Sequence, residues 1–408
     1  MVQSRPLTAK QRSPGGGARK ANPPMLGLLL AAAVKIGVIN SVTGPEAPIG
    51  ENMSHGYEMA VEDLKAKGID VQLLTEDDAG KPQTAMGGLE KLATRDGVAG
   101  IVGPYTSASS NAAARLAERS KIPLLIPAAS KDEITRQKYK WVFRTSAVVS
   151  WYAQVLFDAA ARFGDPQRVS ASGAPPAAKP KSVFIVHENT DFGTSAARGA
   201  TEIAKQMKLE VLGTEAYSAG SPDFRPTLSK VKAANPDLVL LVSYVADAIL
   251  LMRQSRELGL KPMAFLGGGA GFTTSQFASE KAISESVLSS TQWTEDVSWP
   301  GAGAWGGRYK KKFGKTATYH AACAYESLLI MGEVAAKAGG DREKIRAALH
   351  EGKWNGILGE VKFADFDGFN NQNKHQMLVV QIRNGEFVTV FPEEFAKAKV
   401  VWPFPGFK

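Results

Sequence analysis

The chain has 408 residues, 44% of them hydrophobic and 22% charged, with a formal net charge of +9. That composition is ordinary for a soluble globular protein with room for more than one core. Five of the positive charges (Arg5, Lys10, Arg12, Arg19 and Lys20) fall in residues 1–33, which hold no acid, so +4 remains for the body. No basic cluster interleaved with aromatics follows, which argues against a nucleic-acid partner.

The segment "RSPGGGARKANPP" is basic and rich in Pro and Gly, and "MLGLLLAAA" (25–33) is apolar. The apolar run is too short to span a bilayer. A basic region, a short apolar region and Ala31-x-Ala33 predict a secretory signal peptide cleaved near Ala33. The sole cysteine, Cys323, lies in an apolar helical pattern. It excludes an internal disulfide and a cysteine-based zinc cluster.

From residue 34 strands and helices alternate. "VKIGVI" (34–39) reads as a buried strand and "GYEMAVEDLKAKG" (56–68) as an amphipathic helix. The strand "DVQLLTEDD", the helix "KPQTAMGGLEKLATRDG", the strand "VAGIVG" and the helix "NAAARLAERSK" follow. The strand "IPLLIPA" and a helical turn at "SKDEITRQ" complete the unit. Continuous Val/Ile/Leu strands between helices of 3.6-residue period predict a parallel sheet covered on both faces.

Residues 164–182 are rich in Pro, Ala and Ser and read as a flexible surface insertion. The alternation restarts at "SVFIVH" (182–187) and continues through strands at "EVLGTEAY", "DLVLLVS" (237–243), "PMAFLGG" and "SVLSSTQW" (286–293). Beyond lie one long helical region over 297–350, the segment "LGEVKFADFDGFNNQN", and a strand pair turning at Asn384-Gly385. The expectation is an α/β protein of two doubly wound parallel-sheet lobes.

Ligands bind parallel sheets outside the carboxyl ends of the strands. "GPYTSASSN" (103–111) occupies such an end. Gly103 permits a turn, and Ser107, Ser109 or Ser110 is expected to cap the next helix. The free amides and positive dipole of that helix start favour an anion, with Ser107 best placed to donate to a carboxylate. The adjacent "PLLIPAASKDE" repeats the device, with Ser130 and Glu133 in capping-box spacing.

These motifs, with "VKIGVINSVTGPEAPIGENMSHGYEMAVEDLKAKG", "VFIVHENTDFGTSAARGATE", "DLVLLVSYVADAILLMRQSRELG" and "GEVKFADFDGFN", resemble the type I periplasmic substrate-binding proteins of ABC importers, in the branched-chain amino acid (Leu/Ile/Val-binding) group. The resemblance covers roughly residues 34–405. It implies two lobes joined by a three-strand hinge, one from 34–148 and 295–372, the other from 149–294 and 373–408. It also implies a monomer that closes around a small-molecule ligand and presents it to a membrane permease, without a cofactor.

By motif, the resemblance assigns Ser107 to the ligand carboxylate and the Ala128 carbonyl and Ser130 hydroxyl to its polar head group. Phe192 and Tyr244 are the aromatics of the opposing lobe, and Ile49 borders the side-chain pocket. Tyr105 and Ala129 belong to the same two loops as Ser107 and Ser130. One departure stands out: Gly269, in "GGGAG", occupies the place where many amino-acid binders carry an acid for the ligand ammonium. A buried ammonium without an anion is costly. Either another acid such as Asp191 serves, or the ligand is a keto, hydroxy or aromatic acid, or an amide.

Two other classes are weighed. A sensory module of the same fold would carry a signalling segment, and an α/β enzyme would carry a catalytic constellation. The five histidines show no metal spacing, Gly193-Thr-Ser195 is not a nucleophile elbow, and "GGGAGFTT" is neither a dinucleotide nor a Walker loop. Glu46, Asp77 and Asp78 read as solvated loop charges.

Overall fold

A computed structural model describes residues 33–165 and 179–407. The leader up to residue 32 and residues 166–178 of the expected insertion lie outside the described residues. Two sheets organise the body. The first contains β1 (Val34–Asn40), β2 (Val71–Asp77), β3 (Gly100–Val102), β4 (Leu124–Ile126) and β5 (Val142–Arg144). The second contains β6 (Ser182–Glu188), β7 (Glu210–Tyr217), β8 (Leu238–Val242), β9 (Ala264–Gly267) and β10 (Leu288–Thr291). The chain then returns to the first sheet with β11 (Lys353–Gly356), β12 (Gly359–Phe366) and β13 (Phe369–Asn373), and ends in the second with β14 (Leu378–Arg383) and β15 (Glu386–Phe391).

The strand orders are 2-1-3-4-5-13-12-11 and 7-6-8-9-10-14-15. Each lobe therefore repeats the doubly wound order 2-1-3-4-5 in its parallel part, with a switch point at β1/β3 in one and β6/β8 in the other. Strands β3, β4, β5, β8, β9 and β10 are buried along their whole length, as their apolar or small residues require, with Arg144 at the end of β5 the exception in kind. Each fully buried Leu, Val or Phe there contributes roughly 1.5–3 kcal/mol of transfer free energy.

Three segments cross between the sheets, and they are stitched together. The Ala147 amide donates to Gln292 Oε1 at 2.7 Å, and the buried His375 Nε2 donates to the Gln292 carbonyl at 2.6 Å. Gln372 Nε2 donates to the Ser146 carbonyl at 2.7 Å and Asn373 Nδ2 to the Thr145 carbonyl at 2.9 Å. Burial lowers His375 to about 4, so the ring stays neutral at pH 7.

Some expectations shift. The first helix starts at Ala47, nine residues before the expected Gly56, with a proline in its first turn where a missing N–H costs nothing. The single helical region over 297–350 is three helices, Ala302–Phe313, Tyr319–Lys337 and Arg342–Glu351. Gly314, at φ +70°, ends the first, and Gly339-Gly340 stop the second. The Asn384-Gly385 turn holds, with φ of +55° and +86° at the two residues.

Candidate ligand-binding site

The loops that leave β3 and β4 meet those that leave β6, β8 and β9 across the cleft. Tyr105, Ser107, Ala128, Ala129, Ser130, Phe192, Tyr244, Ala270 and Tyr319 enclose a cavity of about 10 Å³. That is room for about one water, so the lobes stand close together. Seven of these residues are named by the sequence motifs. Ala270 and Tyr319 are additions.

Ser107 is the first residue of helix Ser107–Ser120. The cap is Thr106, whose hydroxyl accepts from the Ser109 amide at 3.2 Å, in place of the serines expected there. This places Ser107 inside the first turn, where the amides lack intrahelical partners. Its hydroxyl accepts from the Lys131 amide at 3.2 Å, linking the two loops. Gly103 has φ +117°, and a Cβ there would run into the Ile39 carbonyl.

Ser130 does not form the expected capping box. The short turn begins at Asp132 without a side-chain cap. The Ser130 hydroxyl is free to reach the phenol of Tyr152, which also bonds Tyr319 and accepts from Gln292 Nε2 at 2.6 Å. Behind the loop lies Arg144, fully buried. It donates to the Ala129 carbonyl at 3.2 Å, the Lys131 carbonyl at 2.7 Å, Thr135 Oγ1 at 2.6 Å and Gln372 Oε1 at 2.6 Å. Desolvation pulls its guanidinium down to about 10, so it remains charged at pH 7.

The aromatic wall runs through both lobes. Phe192 lies 5.5 Å from Tyr244, Tyr244 lies 6.3 Å from Tyr105, Tyr105 lies 5.5 Å from His320, and His320 stacks on Tyr319 at 3.8 Å. Burial raises the phenols of Tyr105, Tyr244 and Tyr319 well above the usual range, so they stay neutral. It also lowers His320 to about 3.

Three motif residues are not brought to this cavity. Ile49 is fully buried in the hydrophobic core of its lobe. Gly269, at φ +76°, faces the Tyr152 ring, which fills the space a side chain there would need. Asp191 is engaged by Lys131 Nζ at 2.8 Å and Asn111 Nδ2 at 3.3 Å, both from the other lobe.

That pair belongs to a latch along helix Asp191–Gln206. Ser195 Oγ accepts from the Asp132 amide at 3.3 Å, and Arg198 pairs with Glu133. Lys131 is 17% exposed in its side chain, enough burial for the pair to count. Lys131→Met is expected to weaken closure by about 1 kcal/mol, lowering the affinity for any ligand roughly fivefold. Titration calorimetry checks the affinity, and small-angle scattering checks for a more open ligand-free form.

The solvated reading of the loop acids is corrected for Asp78 and Glu46, while Asp77 stays partly exposed at the end of β2. Asp78 is fully buried and accepts from Ser41 Oγ at 2.6 Å. Asp77 accepts from the amides of Val42 at 3.0 Å and Ala79 at 2.9 Å. Glu46 is 8% exposed, and among the described residues its buried Oε2 has no hydrogen-bond partner. Desolvation, then the charges of Glu188 and Asp247, pushes it up to about 8. Among the described residues no group of His, Cys, Asp or Glu is placed to hold a metal ion.

Two doubly wound lobes with a cleft at their facing switch points define a two-lobed binding protein. Residues 33–386 match the sequence model of the periplasmic binding proteins, and the chain belongs to that family. It is 28% identical over 391 residues to Leu/Ile/Val-binding protein homolog 7 of Brucella melitensis, spanning 91% of this chain and 95% of that one. The fold is shared with the branched-chain amino acid transporter substrate-binding protein LivJ of Streptococcus pneumoniae, solved with isoleucine (TM-score 0.75, 21% identity, 91% of this chain and all of that one). It is shared equally with a solute-binding protein of an ABC transporter from Rhodopseudomonas palustris, solved with 3,4-dihydroxybenzoic acid (TM-score 0.76, 22% identity, 91% and 98% covered). Among the described residues no helix is long and apolar enough to cross a membrane.

Proposed function

We propose that this protein is the solute-binding component of an ABC importer, capturing a small carboxylate between its lobes and presenting it to a membrane permease. The carrying observation is the inner cavity: the hydroxyls of Ser107 and Ser130 and the helix-start amides at Ser107 on one lobe face Phe192 and Tyr244 on the other. Free amides and hydroxyls bind a carboxylate, and aromatic faces cover its apolar part. The relatives bound to isoleucine and to 3,4-dihydroxybenzoic acid share a carboxylate and differ in the rest, which supports a carboxylate-anchored reading.

Ligand binding first to the Ser107 lobe and then drawing in the Phe192 lobe accounts for closure, because the closed form adds contacts the open form lacks. The lobes divide at residues 34–148 with 295–372 and 149–294 with 373–408, in keeping with sheet membership. The protein acts as a monomer without chemistry on its ligand. It works in the periplasm, reached through the leader of residues 1–33.

A thermal-shift screen across amino, keto, hydroxy and aromatic acids and amides identifies the ligand. A charge-assisted hydrogen bond contributes about 1.5–3 kcal/mol. Ser107→Ala is therefore expected to weaken the best acid by about 10- to 100-fold, measured by calorimetry. Unchanged affinity would remove the carboxylate assignment.

A further inference from the structure

Outward of the inner cavity lies a second chamber of about 360 Å³, lined by Glu46, Lys81, Thr106, Thr190, Tyr244 and Asp247 among others. Both lobes build it, and Tyr244 lines both spaces. The chamber is thus a continuation of the ligand cleft beyond a single aromatic ring.

Its charge is one-sided. Glu46 brings an unpartnered, buried carboxyl oxygen from the loop after β1. Asp247 faces it from the first turn of helix Val245–Glu257 after β8, accepting from the Gly220 amide at 3.0 Å. Glu188, at the end of β6, is fully buried, accepts at Oε1 from Thr190 Oγ1 at 2.8 Å and the Gly193 amide at 2.6 Å and at Oε2 from the Thr190 amide, and still acts on Glu46 through its charge. Among the described residues the one base on the chamber wall, Lys81, is exposed. Lys131, the nearby base of the latch, is committed to Asp191. A buried carboxyl oxygen left without a donor calls for a partner, and here the surrounding acids make a cation the favoured one.

We infer that the outer chamber takes the positively charged end of the ligand, with Glu46 as its counter-ion, so that the ligand is an ω-amino carboxylate. The inference rests on the carboxylate reading of Ser107 and Ser130 and supplies what Gly269 lacks: an acid in the cleft, displaced from the α-amino position toward the far end of the guest. It follows that an α-amino group has no anion waiting for it in the inner cavity, whereas an amine several bonds from the carboxylate does. Glu46 is largely protonated at pH 7 without ligand, since burial holds it near 8. Pairing with an ammonium needs the carboxylate, so binding expels a proton from Glu46 to solvent.

The test is calorimetry on the whole mature chain with 4-aminobutanoate, 5-aminopentanoate, 6-aminohexanoate and 4-(aminomethyl)benzoate. Each is set against its amine-free counterpart, with leucine alongside. The expected result is at least one ω-amino acid binding tenfold or more tightly than its counterpart and more tightly than leucine. Glu46→Gln should abolish that preference, so that each ω-amino acid and its amine-free counterpart bind alike. Titrations at pH 7 in phosphate and in Tris should show a proton released by the wild type and none by Glu46→Gln. Asp247→Asn, a second variant, should reduce the preference without removing it. If plain acids bind and the added amine brings no gain, or if Glu46→Gln keeps the preference, this inference falls and the carboxylate reading stands. If no acid of either series binds, both fall.

Discussion

Arg144→Met is expected to lower the stability of the protein by about 3 kcal/mol and to weaken ligand binding at least tenfold. The four hydrogen bonds of the guanidinium are charge-assisted, each worth about 1.5–3 kcal/mol gross. Against them stands the cost of burying a charge with no acid in contact, several kcal/mol for a fully enclosed group. The difference favours the arginine, because the acceptors it satisfies are themselves buried. Methionine fills a similar volume and returns the desolvation cost, but it leaves the Lys131 carbonyl without its 2.7 Å donor. The Ala129 carbonyl keeps just a long 3.4 Å contact from Ser146 Oγ. Both carbonyls flank Ser130, so the loss reaches the ligand-binding loop directly. For a domain of 150–250 residues, 1 kcal/mol corresponds to about 2–4 °C, so the melting temperature should drop by about 6–12 °C. Arg144→Lys keeps the charge as a single point, unable to serve four acceptors fixed around a planar fork, and should recover less than half of the loss. A melting temperature within 2 °C of wild type for Arg144→Met would show that the loop holds its shape unaided.

Periodicity reveals most of the scaffold here because the central parallel strands are buried on both faces, while the edge strands β2 and β7 and the helices are buried on one. The runs at 34–40 and 210–217 differ from their expected bounds by a residue at most. Helix starts are less visible. At 107–120 a threonine one residue upstream outcompetes three serines for the cap, and nothing in composition separates them.

The site divides in the same way. Ser107 and Ser130 are legible because each follows a strand at the carboxyl edge, where topology aims it at the cleft, whereas Phe192 and Tyr244 are reached through the family resemblance of their motifs. Tyr152 and Tyr319 are hidden inside apolar helical patterns, which do not say which face meets the other lobe. Arg144 did leave a signal, a lone cation ending the apolar strand of "WVFR". Glu46 left none. Its burial depends on Thr190, Gly220 and Asp247 closing over it from a lobe more than a hundred residues away in sequence. A loop acid in a Pro-Gly context gives no hint of that.

The pH dependence of stability follows from the same buried groups and should be dominated by Glu46. Its folded value of about 8 lies above the ordinary 4.5. A carboxyl raised in the folded state leaves the protein most stable below pH 4.5, and stability drains away as pH climbs toward 8. Each unit of that interval costs up to about 1.4 kcal/mol, so at pH 7 the penalty is roughly 3 kcal/mol. Glu326, raised to about 7 by burial in helix Tyr319–Lys337, adds to the same slope. The histidines oppose it on the acid side. His320 and His375 are lowered by burial to about 3 and about 4. The unfolded chain therefore binds protons that the folded one refuses, and stability is lost as pH falls from 6.5 toward those values. Between pH 4.5 and 6.5 the two raised carboxyls and the two lowered histidines act with opposite slopes and largely cancel. Urea unfolding of the ligand-free protein from pH 5 to 9 should accordingly show a plateau up to pH 6.5 and a decline beyond it, where the histidine contribution is already complete. Glu46→Gln should stabilise the protein by about 4 kcal/mol at pH 8 and by less than about 1 kcal/mol at pH 5, flattening the alkaline limb. A variant whose gain is the same at both pH values would mean that the Glu46 carboxyl ionises as freely in the fold as in water, and the buried orphan in the cleft would lose its meaning.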